Sequence, residues 1–216
     1  MSIKAVIFDM DGVLIEAKEW HYDALNKALG LFGYTIERHE HATVYDGLPT
    51  KVKLQRLSID KNLPTYLHTF INELKQRYTL DIIVERCRPR FDHEYALSRL
   101  QMEGYRLAVA SNSTRDTVEQ MMSKASLTPY LEFMLSNQDV KRAKPDPEIY
   151  LKAIKMLKLH PKECLIVEDN PNGLKAAEAS GAHVFPVKDV DDVNFASIKR
   201  RIAEAEAASK SVGSAA

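Results

Sequence analysis

Residues 3 to 8, Ile-Lys-Ala-Val-Ile-Phe, form a short β-branched apolar run that ends on Asp9. A buried strand delivering a polar residue at its C-terminal edge has this pattern. Arg106 to Ser111 (RLAVAS) and Cys164 to Glu168 (CLIVE) repeat it. Each is followed by a helical pattern. Asn112 to Thr114 are cap candidates for a helix through Met122, and a Pro-Asn-Gly turn after Asp169 leads into an Ala-rich helix closed by Gly181. Phe133 to Ser136 and His183 to Pro186 are shorter strand candidates. Strands alternating with helices predict an α/β fold, a parallel sheet with helices on both faces. Ligands bind such sheets outside the carboxyl ends of the strands. Asp9, Ser111 and the Glu168-Asp169 pair all lie at those ends, so they are expected to meet in one crevice.

Residues 16 to 88 interrupt the alternation. Tyr22, Leu25, Leu29 and Phe32 follow helical spacing, as do Leu63, Leu67, Phe70, Ile71 and Leu74, and no strand pattern separates them. The expected organisation is an α/β core made of residues 1–15 and 89–216, with a helical insertion at 16–88. The stretch from Ala203 to Ala216 is rich in Ala and Ser, and is expected to be a fraying helix end followed by disorder.

A chain of 216 residues can form one core, or a core carrying a smaller inserted domain. Lys plus Arg and Asp plus Glu each number 30, so no global field draws the protein to nucleic acid or to an anionic membrane. A small molecule is the expected partner, and a monomer the default state. Cys87 and Cys164 lack CxxC spacing and read as ordinary thiols of a reducing compartment. Acidic residues interrupt the N-terminal apolar run, and no stretch approaches the roughly 20 apolar residues that span a bilayer. A cytoplasmic location is expected.

Four groups of residues carry chemistry. In Asp9-Met10-Asp11-Gly12, two carboxylates one residue apart can divide the work of attack or metal binding and of proton transfer, while the same letters also suit an Asp-Gly turn. Adjacent Glu168 and Asp169 repel one another at a strand end unless a hard cation such as Mg²⁺ offsets them; the alternative is a solvated acidic turn beside the helix caps Asn170 and Asn172. Ser111-Asn112, between strand and helix, can hold phosphate oxygens or merely cap. Lys144 precedes Pro145-Asp146-Pro147, with Asp146 as N-cap and Pro147 as first helical residue of a helix to about Leu157, a rigid start that would fix where the lysine points.

In order and spacing these pieces resemble the four motifs of the haloacid dehalogenase (HAD) superfamily: DMDGVL the first, VASNS the second, KRAKPDPEIY the third and VEDNPNG the fourth. The match runs from Asp9 to Gly173, most of the chain. It implies a Rossmann-like core with an inserted helical cap, called type C1, similar to the β-phosphoglucomutase and phosphoglycolate phosphatase group. It further implies Asp9 as nucleophile, Asp11 as general acid/base, Ser111 and Asn112 as phosphate holders and Lys144 as orienting cation. Mg²⁺ would be held by Asp9, the Asp11 main-chain carbonyl and Asp169, with Glu168 a ligand or a group behind one. The implied activity is Mg-dependent hydrolysis of a small phosphorylated metabolite through an aspartyl-phosphate on Asp9.

Relatives often read Asp-Ser-Glu-x-x-His after the first motif; here the stretch is EAKEWH, and only His21 remains. His21, with Thr50 and Lys51 of the GLPTK segment, is a substrate-binding candidate on that resemblance. Arg38, His39 and His41 read as a solvated surface. Asp11 argues against a metal-free dehalogenase, and Lys51 stands one residue away from the place of a phosphonate hydrolase's Schiff-base lysine. Two alternatives remain at this level: a sugar phosphomutase, although Thr50 occupies a position where mutases tend to carry arginine, and a non-catalytic regulator that binds phosphometabolites.

Overall fold

The computed structural model describes residues 2–213. The chain divides into two compact units, one of Met1–Glu16 with Arg88–Ala216 and one of Ala17–Cys87.

The first unit is built on five parallel strands: β1 (Ala5–Phe8), β2 (Arg106–Ala110), β3 (Phe133–Leu135), β4 (Cys164–Glu168) and β5 (His183–Pro186), in the order β3-β2-β1-β4-β5. Every residue of β1 and of β4 is buried. That is why these strands are apolar up to Glu168 at the end of β4 and do not alternate: helices cover both faces. Phe8 stands level with Val109 of β2 and with Val167 of β4. The residues one step further, Asp9, Ala110 and Glu168, therefore stand side by side at the strand ends.

The second unit holds α1 (Lys18–Gly30), a short α2 (Arg38–Glu40) running into a π-helical turn (His41–Tyr45), α3 (Thr50–Lys61) and α4 (His68–Arg86). Leu25 and Leu29 of α1 pack with Ile36, Tyr45, Leu57 and Ile71 in its own core. The loop after α1 is pinned by Asn26, whose Oδ1 accepts from Ile36 N and whose Nδ2 donates to Ile36 O, both at 2.8 Å. The spacing from Leu63 to Leu74 suggested one continuous helix. The chain instead stops α3 at Asn62 in the left-handed region, passes Pro64 and a 3₁₀ turn, and begins α4 at His68. Asparagine tolerates that backbone, and proline cannot supply the N–H a continuing helix needs.

The remaining helices of the first unit are α5 (Phe91–Met102), α6 (Arg115–Lys124), α7 (Glu148–Leu157), α8 (Pro171–Ala179) and α9 (Phe195–Gly213). Ile149, Tyr150 and Ala153 of α7 and Ala176 of α8 pack with Ile7 and Ile166 of the sheet. Three expectations about element ends are corrected. α7 starts at Glu148, one residue later than expected, although Asp146 still acts as a cap by accepting from Glu148 N at 3.0 Å. Pro171-Asn172-Gly173 is no turn but the first turn of α8, capped by the Asn170 side chain. The Ala-rich stretch does not fray at Ala203: α9 continues to Gly213, anchored by buried Ile198, Ile202 and Ala205 on one face. Met1 and the expected disordered tip at 214–216 lie outside the described residues.

Candidate active site

β1 ends on Asp9, whose N–H donates to Val167 O of β4 at 2.9 Å. The chain then folds into a tight turn: Met10 O accepts from the amides of Leu14 and Ile15, at 3.0 and 2.9 Å, and Gly12 N donates to Ile15 O at 2.7 Å. Gly12 has φ +89°, a conformation that other L residues rarely adopt. Asp11 projects from this turn, and its Oδ2 accepts from Ser113 Oγ at 2.8 Å.

Lys144, 5 % exposed, reaches the end of β1 from the loop before α7. Its Nζ lies 2.5 Å from Asp9 Oδ1 and 2.8 Å from Glu168 Oε2, and 4.6 Å from the centre of the Tyr150 ring. Glu168 is fixed on both oxygens. Oε2 also accepts from Tyr150 OH at 2.5 Å, and Oε1 accepts from the amides of Asp169 and Asn170 at 3.1 and 3.2 Å. Gly173, in the first turn of α8, is what lets this carboxylate fit, since a Cβ there would stand 2.0 Å from its atoms.

The second strand end supplies Ser111, buried, with Oγ accepting from Ser113 N at 3.0 Å. Asn112, a phosphate-holding candidate, has its side chain on the Lys144 main chain, Oδ1 accepting from Lys144 N at 3.1 Å and Nδ2 donating to Lys144 O at 3.4 Å. That pair of bonds sets the position from which Lys144 enters.

Charge explains the protonation of the site. Burial, together with Glu168, pushes the Asp9 carboxyl well above the ordinary range in spite of Lys144. Burial would also raise Glu168, but Lys144 and the bonds from Tyr150 and the Asn170 amide bring it below the usual value. Burial opposes the Lys144 ammonium, and Asp9 with Glu168 overcomes it and raises the pKa. Oxygens of Asp9, Glu168 and Asp169 lie within 4.8 Å of one another. Three carboxylates and one ammonium leave this strand end short of positive charge, and a hard divalent cation fits an all-oxygen donor set of this kind.

The candidates in the helical unit are placed differently. Lys51 is exposed, and Thr50, half-buried, opens α3. His21 Nδ1 lies 3.2 Å from Nζ of Lys75, a buried lysine of α4. Arg38 and His39 are exposed as expected, but His41 is not part of that solvated surface. It is 8 % exposed, edge-on to Tyr22 with ring centres 5.0 Å apart, and its Nε2 lies 3.4 Å from Nζ of buried Lys53. Burial first, and then Lys53, lower its pKa to about 4, so it is a neutral imidazole at physiological pH. Lys53, Lys75, Tyr150, Ser113 and Gly173 were not singled out in the sequence. Tyr150 carried a usable signal, standing at the buried spacing of α7 with a hydroxyl that must find a partner.

The model of the haloacid dehalogenase-like hydrolase family matches residues 6–187, and the chain belongs to that family. It is similar to a putative pyrophosphatase, PpaX, of Caldanaerobacter subterraneus subsp. tengcongensis, 30 % identical over 198 residues covering 87 % of this chain and 83 % of that protein. A phosphorylated carbohydrates phosphatase of Thermotoga maritima is 28 % identical over 184 residues, covering 83 % and 82 %. A crystal structure of β-phosphoglucomutase from Clostridium difficile has the same fold, with TM-score 0.80, 22 % identity and coverage of 94 % and 98 %. With its family and this strand-end site, the protein is an enzyme that hydrolyses phosphoric monoesters. Among the described residues no helix is long and apolar enough to cross a membrane.

Proposed function

We propose that the protein is a Mg²⁺-dependent phosphatase of a small phosphorylated metabolite, a sugar phosphate or a similar monoester, working through an aspartyl-phosphate on Asp9. The observation that carries this reading is the Lys144 ammonium held between Asp9 and Glu168 beside the Asp169 carboxylate. Asp9, Asp169 and the Asp11 carbonyl would hold the cation, which when bound neutralises phosphate charge against the attacking carboxylate. Glu168, with both oxygens already engaged, orients Lys144 instead of binding metal.

An Asp9 carboxylate oxygen attacks phosphorus in line with the ester oxygen, and the P–O ester bond breaks as the new one forms. Lys144 keeps Asp9 aimed and offsets its charge, and Ser111 stands at the adjacent strand end to receive a phosphate oxygen. Asp11, carried on the turn after β1, protonates the departing alkoxide and then takes a proton from the water that hydrolyses the acyl-phosphate. Phosphate leaves and the Asp9 carboxylate is regenerated. Residues 17–87 act in this reading as the C1 cap that selects substrates, with the buried lysines 53 and 75 as its cationic groups and His21 beside Lys75. The buried thiols of Cys87 and Cys164, not joined in a disulfide, suit a cytoplasmic setting.

The test is a phosphorylated-metabolite panel with phosphate release as readout. Wild type with Mg²⁺ is expected to hydrolyse a subset of esters, Asp9→Asn none, and chelator is expected to stop turnover. A wild type inert across the panel would favour a regulator that binds phosphometabolites without catalysis.

A further inference from the structure

His93, the third residue of α5, is 1 % exposed, and the catalytic steps above leave it without a part. Both of its ring nitrogens face main-chain carbonyls: Nδ1 lies 3.1 Å from Leu14 O, and Nε2 lies 2.8 Å from Val190 O. A neutral imidazole has one N–H to donate, and a carbonyl can only accept. A ring bearing both protons would satisfy both, at the cost of a buried charge near a helix N-terminus. Burial, with Arg90 adding to it, lowers the pKa of this histidine, though both carbonyls work against the shift. An aliphatic side chain would fill the same space, so the imidazole's distinct contribution is the one N–H it donates, which in the Nδ1–H tautomer goes to Leu14 O.

Leu14 belongs to the turn that carries Asp11. Inside that turn Leu14 N donates to Met10 O, Gly12 N donates to Ile15 O, and Asp11 is bridged to Ile15. Ser113 holds the Asp11 carboxylate directly at 2.8 Å. In that tautomer His93 braces the opposite end of the same turn, tying its exit to α5.

We propose that His93 is a positioning residue for Asp11: through the Leu14 carbonyl it fixes the turn that aims the Asp11 carboxyl at the leaving oxygen. This rests on the reading of Asp11 as general acid. A shift of a fraction of an ångström at an acid matters most when the leaving group needs its proton. A poor alkoxide needs it, and a nitrophenolate does not.

The experiment compares single-turnover release of alcohol from glycerol 3-phosphate and of nitrophenol from p-nitrophenyl phosphate, in wild type, Asp11→Asn, His93→Leu, His93→Asn and His93→Gln. His93→Leu is expected to slow the alkyl ester about tenfold or more while changing the aryl ester no more than about threefold. His93→Asn, whose amide nitrogen takes the place of the ring's Nδ1 and can donate to Leu14 O, is expected to recover most of the loss, and Gln, whose amide nitrogen reaches the Nε2 position beside Val190 O, is not. If His93→Leu does not fold, the contrast between Gln and Asn makes the same test. Equal slowing of both esters, an unaffected alkyl ester, or indistinguishable Gln and Asn variants would overturn the proposal. The Asp11→Asn control separates the two levels: without leaving-group selectivity there, the general-acid reading itself fails, and with it there but absent at His93, only the positioning role does.

Discussion

Lys144 concentrates the electrostatics of the site in one ammonium. It is buried, as are the Asp9 and Glu168 carboxylates it touches. Taking three charged groups out of water is costly, and their mutual attraction offsets that cost only while the set is complete. Lys144→Met is therefore expected to lower stability by about 3–5 kcal/mol, as is usual when one partner of a buried pair is removed. Urea unfolding without divalent cation measures it. Adding Asp9→Asn to that variant is expected to recover part of the loss, since one of the stranded carboxylates is then gone. A Lys144→Met protein as stable as wild type would show that the pairing contributes nothing to the fold.

Gly173 and His41 show what helices contribute beyond scaffolding. The first turn of α8 lies against the Glu168 carboxylate, and a methyl group at Gly173 would stand 2.0 Å from it. The tip of a free glutamate could swing aside, but this one is held by Lys144, Tyr150 and two amides. Gly173→Ala is expected to destabilise the protein by about 1–3 kcal/mol through overpacking and to lower kcat at least about tenfold by displacing Lys144. Melting and steady-state kinetics together check it. In the helical unit, the π-helical turn buries His41 as a neutral ring with a pKa of about 4, against about 6.5 when unfolded. Between those values the unfolded chain holds a proton that the folded chain does not. Stability from this group is complete above pH 6.5 and declines as the pH falls toward 4, by at most about 3 kcal/mol. Urea midpoints across that range should fall less steeply in His41→Asn than in wild type.

For the molecule as a whole, the cation proposed at Asp9 and Asp169 ties folding to ligand binding. A group that binds only the folded chain raises its apparent stability, by about 2.7 kcal/mol at a hundredfold excess over Kd. Mg²⁺ is expected to raise the melting temperature of wild type, and that increment is expected to vanish in Asp169→Asn. An unchanged increment would place the cation elsewhere.

The strand-end residues were readable in the linear chain because burial on both faces of a parallel sheet demands uninterrupted apolar runs, so the polar residue that stops each run announces itself. Asp9, Ser111 and Glu168 are of this kind. The caps were readable to within a residue, because Asn170 and Asp146 act on amides only two positions away. Nothing local told that Asn112 spends its amide on the Lys144 backbone, that Ser113 bonds Asp11, or that Glu168 needs a glycine five residues on. Nor could spacing show that His41, Lys53 and Lys75 are buried. Apart from Glu168 and Gly173, such contacts join residues twelve or more positions apart, and whether a charged or polar side chain is buried depends on partners that only the folded chain brings within reach.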